Sequence, residues 1–283
     1  MHQGMLPKPE RSPQLRGVHA CVLPAFLLNG GLTSLYSRNN PILSRKYQTL
    51  ATPAGWAFSI WGLIFLSEAV FCVAQLLPQL RGSEEVAKAG PPFAFACLFQ
   101  AAWSFAFGNE YIYTSQALIL LILLALWRTN AALHAISKNS PPSLSRYLLL
   151  YLPFAVHFGW LTAASIVSVN VSLVAFAPSH HAWLLALAVV SLTFALVAGI
   201  VAPDSTYTLT ISWALAGVSS QLKSPLDEAP EADPIKGWCP PFVTEALSGV
   251  AIVLACALLL SGLIHAVMRQ AGSVGLPATE AQA

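Results

Sequence analysis

Long stretches of this sequence carry almost no charge, and this pattern constrains the fold more than any other feature. Each stretch holds about 20 mostly apolar residues, the number that a helix needs to cross a hydrocarbon core about 30 Å thick. A helix also satisfies its own backbone hydrogen bonds in lipid. Only 9% of the residues are charged, whereas soluble proteins carry roughly 25%. We therefore predict an all-α fold, a polytopic transmembrane helical bundle.

The apolar stretches predict about eight membrane spans, or seven if one short, amphiphilic segment (207–221) does not cross. The predicted spans are 18–36, 56–77, 93–107, 111–127, 147–174, 183–201, 207–221 and 242–267. The first is expected to be irregular, because Pro24 and the Asn29-Gly30-Gly31 run interrupt it.

One transmembrane domain is predicted over 18–268, with a polar loop at 222–241. A basic N-terminal segment, 1–17, precedes this domain. The tail at 269–283 has little apolar content and is expected to be disordered.

The distribution of lysine and arginine predicts the orientation of this multi-pass integral membrane protein. With eight spans, the side that holds both termini receives more of these residues than the opposite side. We therefore expect both termini in the cytoplasm or a topologically equivalent compartment.

Several function classes lack their sequence signatures. A net charge of +2 gives no indication of nucleic-acid binding. The five cysteines form no CxxC pair and no Cys/His spacing typical of a metal site. We also find no GxSxG elbow, HExxH motif or glycine-rich phosphate loop. The sequence therefore predicts no metal, no cofactor, no catalytic residues and no enzyme.

Glu68 lies near the middle of the second predicted span, where an ionised residue costs about 3 kcal/mol to insert. At helical spacing it shares a face with Trp61, Phe65, Cys72 and Gln75. This stripe of an acid, an amide and aromatic rings is typical of a ligand-pocket wall or a proton-handling site. An interhelical hydrogen bond that only fixes packing is an equally good interpretation.

His157 lies within the fifth predicted span, about one turn before Trp160. It could contact a ligand or titrate near neutral pH. The more common role of a lone intramembrane histidine is packing through a hydrogen bond, and that interpretation is favoured.

Five tryptophans, Trp56, Trp61, Trp103, Trp160 and Trp213, lie in or near predicted spans beside small or polar residues. If they face a common interior, they would wall a cavity suited to a large planar or lipidic molecule. The alternative is that they face the lipid.

Four segments carry a resemblance to a known family: "TPAGWAFSIWGLIF", "AAWSFAFGNEYIY", "YLPFAVHFGWLTAASIVSVNVSL" and "TYTLTISWALAG". They resemble successive helices of the tryptophan-rich sensory proteins and the related translocator protein, the peripheral-type benzodiazepine receptor. The likeness covers about 29–217. Gln100 and Ser168 depart from the family pattern, since both stand where asparagines are expected.

The resemblance implies a helical bundle with an aromatic-lined cavity that binds tetrapyrroles, sterols or similar hydrophobic molecules. Trp56, Trp61, Trp103 and Trp160 would line or support this cavity. The family core has five helices, fewer than the number predicted here.

The leading functional hypothesis is a membrane protein that binds or translocates such a ligand, with Glu68 or His157 as a polar handle and a sensor or transport role. The alternative is a proton-coupled transporter of a small metabolite that uses Glu68. An enzyme acting on a tetrapyrrole ranks third. The expected partners are the lipid bilayer, a hydrophobic small molecule such as a porphyrin or sterol, and a second copy of the chain in a homodimer, but no nucleic acid.

Overall fold

The fold is all-α, as predicted. The computed structural model describes residues 13–176, 181–202, 204–223 and 239–274. Regular structure in these ranges consists of the helices α1 (Pro13–Tyr36), α2 (Asn40–Lys46), α3 (Ile60–Ala74), α4 (Glu84–Gly108), α5 (Ile112–Asn139), α6 (Leu144–Leu150), α7 (Leu152–Phe176), α8 (His181–Val201), α9 (Ser205–Lys223) and α10 (Pro241–Val274), with two 3₁₀ helices, Ser37–Asn39 and Gly55–Ser59.

The long helices run alternately between two ends of the bundle. At one end, the turn between α4 and α5 brings Glu110 to Lys46 and to Tyr47, whose hydroxyl donates to Glu110 Oε2 over 2.9 Å. We call this the Glu110 end. At the other end, Arg146 of α6 binds Glu85 at the start of α4, and the Tyr147 hydroxyl lies 2.8 Å from a carboxylate oxygen of Asp204. We call this the Arg146 end.

Six helices in the described part of the chain are long and apolar enough to cross a membrane, so a count of eight spans is not confirmed. All eight predicted segments do form helices. The two that are not among the six candidate spans are 93–107 and 207–221. The first belongs to α4, whose opening turns carry Glu84, Glu85 and Lys88. The second belongs to α9, which is rich in serine and threonine.

Two helices differ from what was expected of their segments. The first span forms one continuous helix through Pro24 rather than an irregular segment, because a proline removes only one backbone hydrogen bond from a helix that its neighbours support. Helix α10 continues to Val274, past the predicted domain end at 268. Most of the predicted basic segment, residues 224–238 of the polar loop, and 275–283 of the tail lie outside the described residues.

Close helix packing is clearest where α7 crosses α9. A Cβ added to Gly159 would lie 2.8 Å from the Thr210 side chain and 3.1 Å from the Tyr207 carbonyl oxygen. Only glycine permits this approach of the two backbones. The Tyr207 hydroxyl then reaches across to donate to Thr162 Oγ1 over 2.9 Å, so α9 is fixed against α7 by both shape and hydrogen bonding.

Near the Arg146 end, three phenylalanines from different helices form a closed layer. Phe71 of α3, Phe93 of α4 and Phe154 of α7 have no exposed surface. Their ring centroids are 4.7 to 5.7 Å apart, and the Phe71 ring lies edge-to-face against both others. Edge-to-face aromatic pairs of this kind add about 1 kcal/mol each beyond their buried area. We call these three residues the phenylalanine layer.

Candidate functional site

The structure joins two of the predicted site residues directly. His157 Nδ1 of α7 lies 2.6 Å from Glu68 Oε1 of α3, and the two side chains are 1% and 0% exposed. A buried hydrogen bond therefore joins an acidic and a basic side chain on two different helices. The sequence favoured His157 as a hydrogen-bonded packing residue and gave an interhelical hydrogen bond as one interpretation of Glu68, but it did not pair the two residues.

The position of the pair follows from the helix geometry. Glu68 lies two residues before Val70 and three residues before Phe71 on α3. At a helical rise of 1.5 Å per residue, it is about 5 Å from the phenylalanine layer, on the side of the Glu110 end. His157 stands at the same distance from Phe154 on α7. Glu68 and His157 therefore lie at the same depth in the bundle, because Phe71 of α3 and Phe154 of α7 contact each other in the phenylalanine layer.

Aromatic rings cover the pair on one side. The Trp61 ring lies edge-to-face against His157, with 5.6 Å between centroids, and 6.4 Å from Trp160. Trp160 is almost fully buried and also contacts Phe58 at 5.4 Å. Trp61 is only half-buried and packs against Phe65. An ionisable pair thus lies directly behind a tryptophan that reaches the bundle surface.

The other two predicted tryptophans contact different partners. Trp103 packs against the same apolar core, but its ring stacks on Phe107 at 5.1 Å. Trp56 is 44% exposed, donates to Ser220 Oγ over 3.0 Å and lies edge-to-face against Trp213. Trp56 therefore lies at the start of the second predicted span and contacts α9.

Two pockets in the described part of the chain lie away from these tryptophans. An apolar groove of about 330 Å³ lies between α1, α4 and α5 and is lined by Tyr36, Phe105 and Tyr111 among others. A small pocket of about 30 Å³ lies between α7, α8 and α9. Neither pocket is lined by Trp61 or Trp160.

The sequence did not single out a buried polar stripe on α4. Cys97, Gln100 and Ser104 follow helical spacing and are 1 to 3% exposed. Ser104 Oγ lies 3.0 Å from Thr33 Oγ1 of α1, and Thr33 donates to Asn29 Oδ1 over 3.1 Å. The spacing of three polar residues at i, i+3 and i+7 was a signal that could have found the stripe.

Charged groups outside the predicted spans form ion pairs at both ends. Two hydrogen bonds from Arg146, of 2.6 and 2.8 Å, hold the pKa of the Glu85 carboxyl below its ordinary value. At the opposite end, the ammonium of Lys46 and then the Tyr47 hydroxyl lower the pKa of the Glu110 carboxyl. Among the described residues, no group of three or more His, Cys, Asp or Glu side chains is placed to hold a metal ion.

Comparison with known proteins identifies a family. A family model described as TSPO-like protein matches residues 20–264, a range that includes Glu68, His157 and all four predicted tryptophans. Searches of curated proteins and of solved structures found no significant match.

Proposed function

Because this chain belongs to the TSPO-like protein family, we propose that it binds a hydrophobic small molecule of tetrapyrrole or sterol type inside the bilayer and acts in sensing or transport. The membership agrees with the resemblance found in the sequence. Six apolar helices make the chain an integral, multi-pass membrane protein. The ligand and its role are the part that we propose.

One observation carries the proposal: Trp61 lies between the bundle surface and the Glu68–His157 pair. A flat hydrophobic molecule arriving from the lipid would meet the Trp61 ring first. If Trp61 moves aside, the Trp160 ring, 6.4 Å away, offers an aromatic wall. The pair would then offer a hydrogen-bonding group to a carboxyl, pyrrole or hydroxyl of the ligand. This arrangement combines large apolar area with one polar anchor.

The test is titration of the purified protein in detergent with protoporphyrin, followed by tryptophan fluorescence quenching. We expect Trp61→Leu and Trp160→Leu to weaken binding by about tenfold each, since loss of a buried aromatic contact costs about 1 to 2 kcal/mol. Trp56→Leu is the matched control, because Trp56 contacts Trp213 instead. Unchanged affinity in both variants would rule out this site.

The same titration separates binding from catalysis. We propose that the chain is not an enzyme, so porphyrin extracted after prolonged incubation should be chemically unchanged. Conversion of the pigment that depends on Glu68 or His157 would instead support the enzymatic alternative.

Proton-coupled transport of a small metabolite is a second candidate, favoured by the hydrogen bond between Glu68 and His157 inside the membrane domain. Buried acid and histidine groups in membrane helices commonly relay protons. Uptake into proteoliposomes should then require a pH gradient and disappear in Glu68→Gln. Uptake that ignores the gradient would exclude this candidate.

A further inference from the structure

Buried polar side chains continue directly from the Glu68–His157 pair toward the Glu110 end of the bundle. On α4, Cys97 lies close enough to Glu68 for the two groups to interact electrostatically, and the Asn29 side chain of α1 lies beside the Cys97 thiol. Gln100 follows, and then Ser104 with Thr33. At 1.5 Å per residue, Ser104 lies about 6 Å from Gly108, the last residue of α4.

Four atoms in this region have no hydrogen-bond partner among the described residues, although their side chains are at least 98% buried. They are Asn29 Nδ2, Glu68 Oε2, Gln100 Oε1 and His157 Nε2. Leaving such atoms dry costs about 1 to 3 kcal/mol each, and more in a bilayer. Buried water typically satisfies groups of this kind. The four atoms include both donors and acceptors, so water molecules can form hydrogen bonds with all of them.

Toward the Arg146 end, the pair meets an apolar layer. The phenylalanine layer lies between the Glu68–His157 pair and the Arg146 end, and its three side chains have no exposed surface. Their rings contact one another and offer no hydrogen bond that could hold water in a continuous file. The pair is therefore bordered by polar side chains toward the Glu110 end and by the phenylalanine layer toward the Arg146 end, with the buried Gln75 at the end of α3 beyond that layer.

We propose that water reaches the Glu68–His157 pair from the Glu110 end, along Thr33, Ser104, Asn29 and Gln100, and that the pair exchanges protons with that side of the membrane only. In the exchange, a hydronium ion adds a proton to Oε2 of the Glu68 carboxylate and leaves as water, and the reverse step returns the proton. The proton between Oε1 and Nδ1 stays with His157. This access does not depend on a hydrophobic ligand.

Other titratable groups that face the pair within the described residues are few. Cys72 on α3 and Cys97 on α4 both interact with Glu68, and neither carries a formal charge as a thiol. From α1, the side chains that face this region are the neutral Asn29 and Thr33. Proton exchange at the pair is therefore the charge-changing event expected here.

Two native cysteines provide the test, because both are 1% exposed but lie at different places relative to the proposed path. Cys97 adjoins Asn29, within the path, whereas Cys72 interacts with Glu68 at the inner end of the path and is next to Phe71 of the phenylalanine layer. The probe is a membrane-impermeant methanethiosulfonate cation, applied to sealed vesicles of each orientation. Mass spectrometry of tryptic peptides separates the two thiols, since Arg81 and Lys88 lie between them.

We expect the probe to modify Cys97 at least about tenfold faster than Cys72 when applied from the Glu110 end, because thiol modification requires water at the sulfur. From the Arg146 end, neither thiol should react. Equal rates for both cysteines, or modification of Cys97 from the Arg146 end, would overturn the proposal. The wild-type chain suffices for this comparison.

A substitution in the path strengthens the test. Ser104→Leu should slow modification of Cys97 by about tenfold, because it removes a hydroxyl and fills the path. The control is Phe105→Leu, since Phe105 is the adjacent residue and faces outward. An unchanged Cys97 rate in folded Ser104→Leu protein would refute the proposed route. The porphyrin titration is a separate readout, so failure of ligand binding leaves the labelling result intact.

Discussion

The hydrogen bond between Glu68 and His157 should be among the strongest single side-chain interactions in the bundle. His157→Leu keeps a similar volume but leaves a fully buried carboxyl group without its partner. Removing one partner of a buried ion pair costs about 3 to 5 kcal/mol. We expect His157→Leu to lower the free energy of unfolding by about 3 kcal/mol. The double variant Glu68→Leu/His157→Leu should lie within about 1 kcal/mol of the wild type, because no polar group is then stranded.

A double-mutant cycle measured by SDS-induced unfolding in mixed micelles tests this reasoning. Neutral hydrogen bonds between membrane helices average about 0.6 kcal/mol and reach about 1.7 kcal/mol. Asn170 and Ser191 form such a bond, of 3.0 Å, between α7 and α8, so the cycle Asn170→Leu with Ser191→Ala is the control. We expect a coupling energy of at least 2 kcal/mol for Glu68 with His157. A value no larger than that of the control pair would refute the argument that this hydrogen bond is stronger than a neutral one.

Two further predictions follow from other contacts. Gly159→Ala should reduce the melting temperature in detergent, because its new methyl group would lie 2.8 Å from Thr210 and overpacking costs about 1 to 3 kcal/mol. The control is Gly62→Ala, which should leave the melting temperature unchanged because there is open space around the added Cβ. Equal effects of the two substitutions would refute the close-packing argument. Arg146 lowers the pKa of Glu85 in the folded state, so the pair stabilises the fold above the ordinary pKa of a glutamate and loses this contribution as the pH falls through the lowered value. Melting curves at several pH values should therefore show an acid-dependent loss that is absent in Arg146→Ala, and an identical pH profile in both proteins would contradict it.

Most helices could be predicted from the sequence because lipid makes apolar length a direct signal of a spanning helix. That signal fails for α4 and α9, whose polar residues are buried against other helices. Ser212 of α9, for example, donates to the Ala255 carbonyl of α10 over 2.6 Å. Composition along one segment cannot show that a neighbour will satisfy its hydroxyl groups. The count of spans is therefore less predictable than the helices themselves.

The residues of the candidate site could be selected from the sequence, but the contacts between them could not. Glu68 is conspicuous because an acid in an apolar helix is rare, and His157 for the same reason. Their hydrogen bond joins positions 89 residues apart, and no local pattern encodes such a contact. Residues that share a motif can also have different partners. Trp56 lies in the same motif as Trp61, but its ring points toward Trp213.

The polar character of α9 has a consequence for biosynthesis. A segment that is too hydrophilic to partition into lipid by itself is retained poorly by the insertion machinery. Helix α9 exchanges hydrogen bonds with α10 at two levels, since Ser248 also donates to the Ser219 carbonyl over 3.0 Å. We therefore predict that α9 and α10 are inserted together as one hairpin, with the hydrophobic α10 supporting the more polar α9.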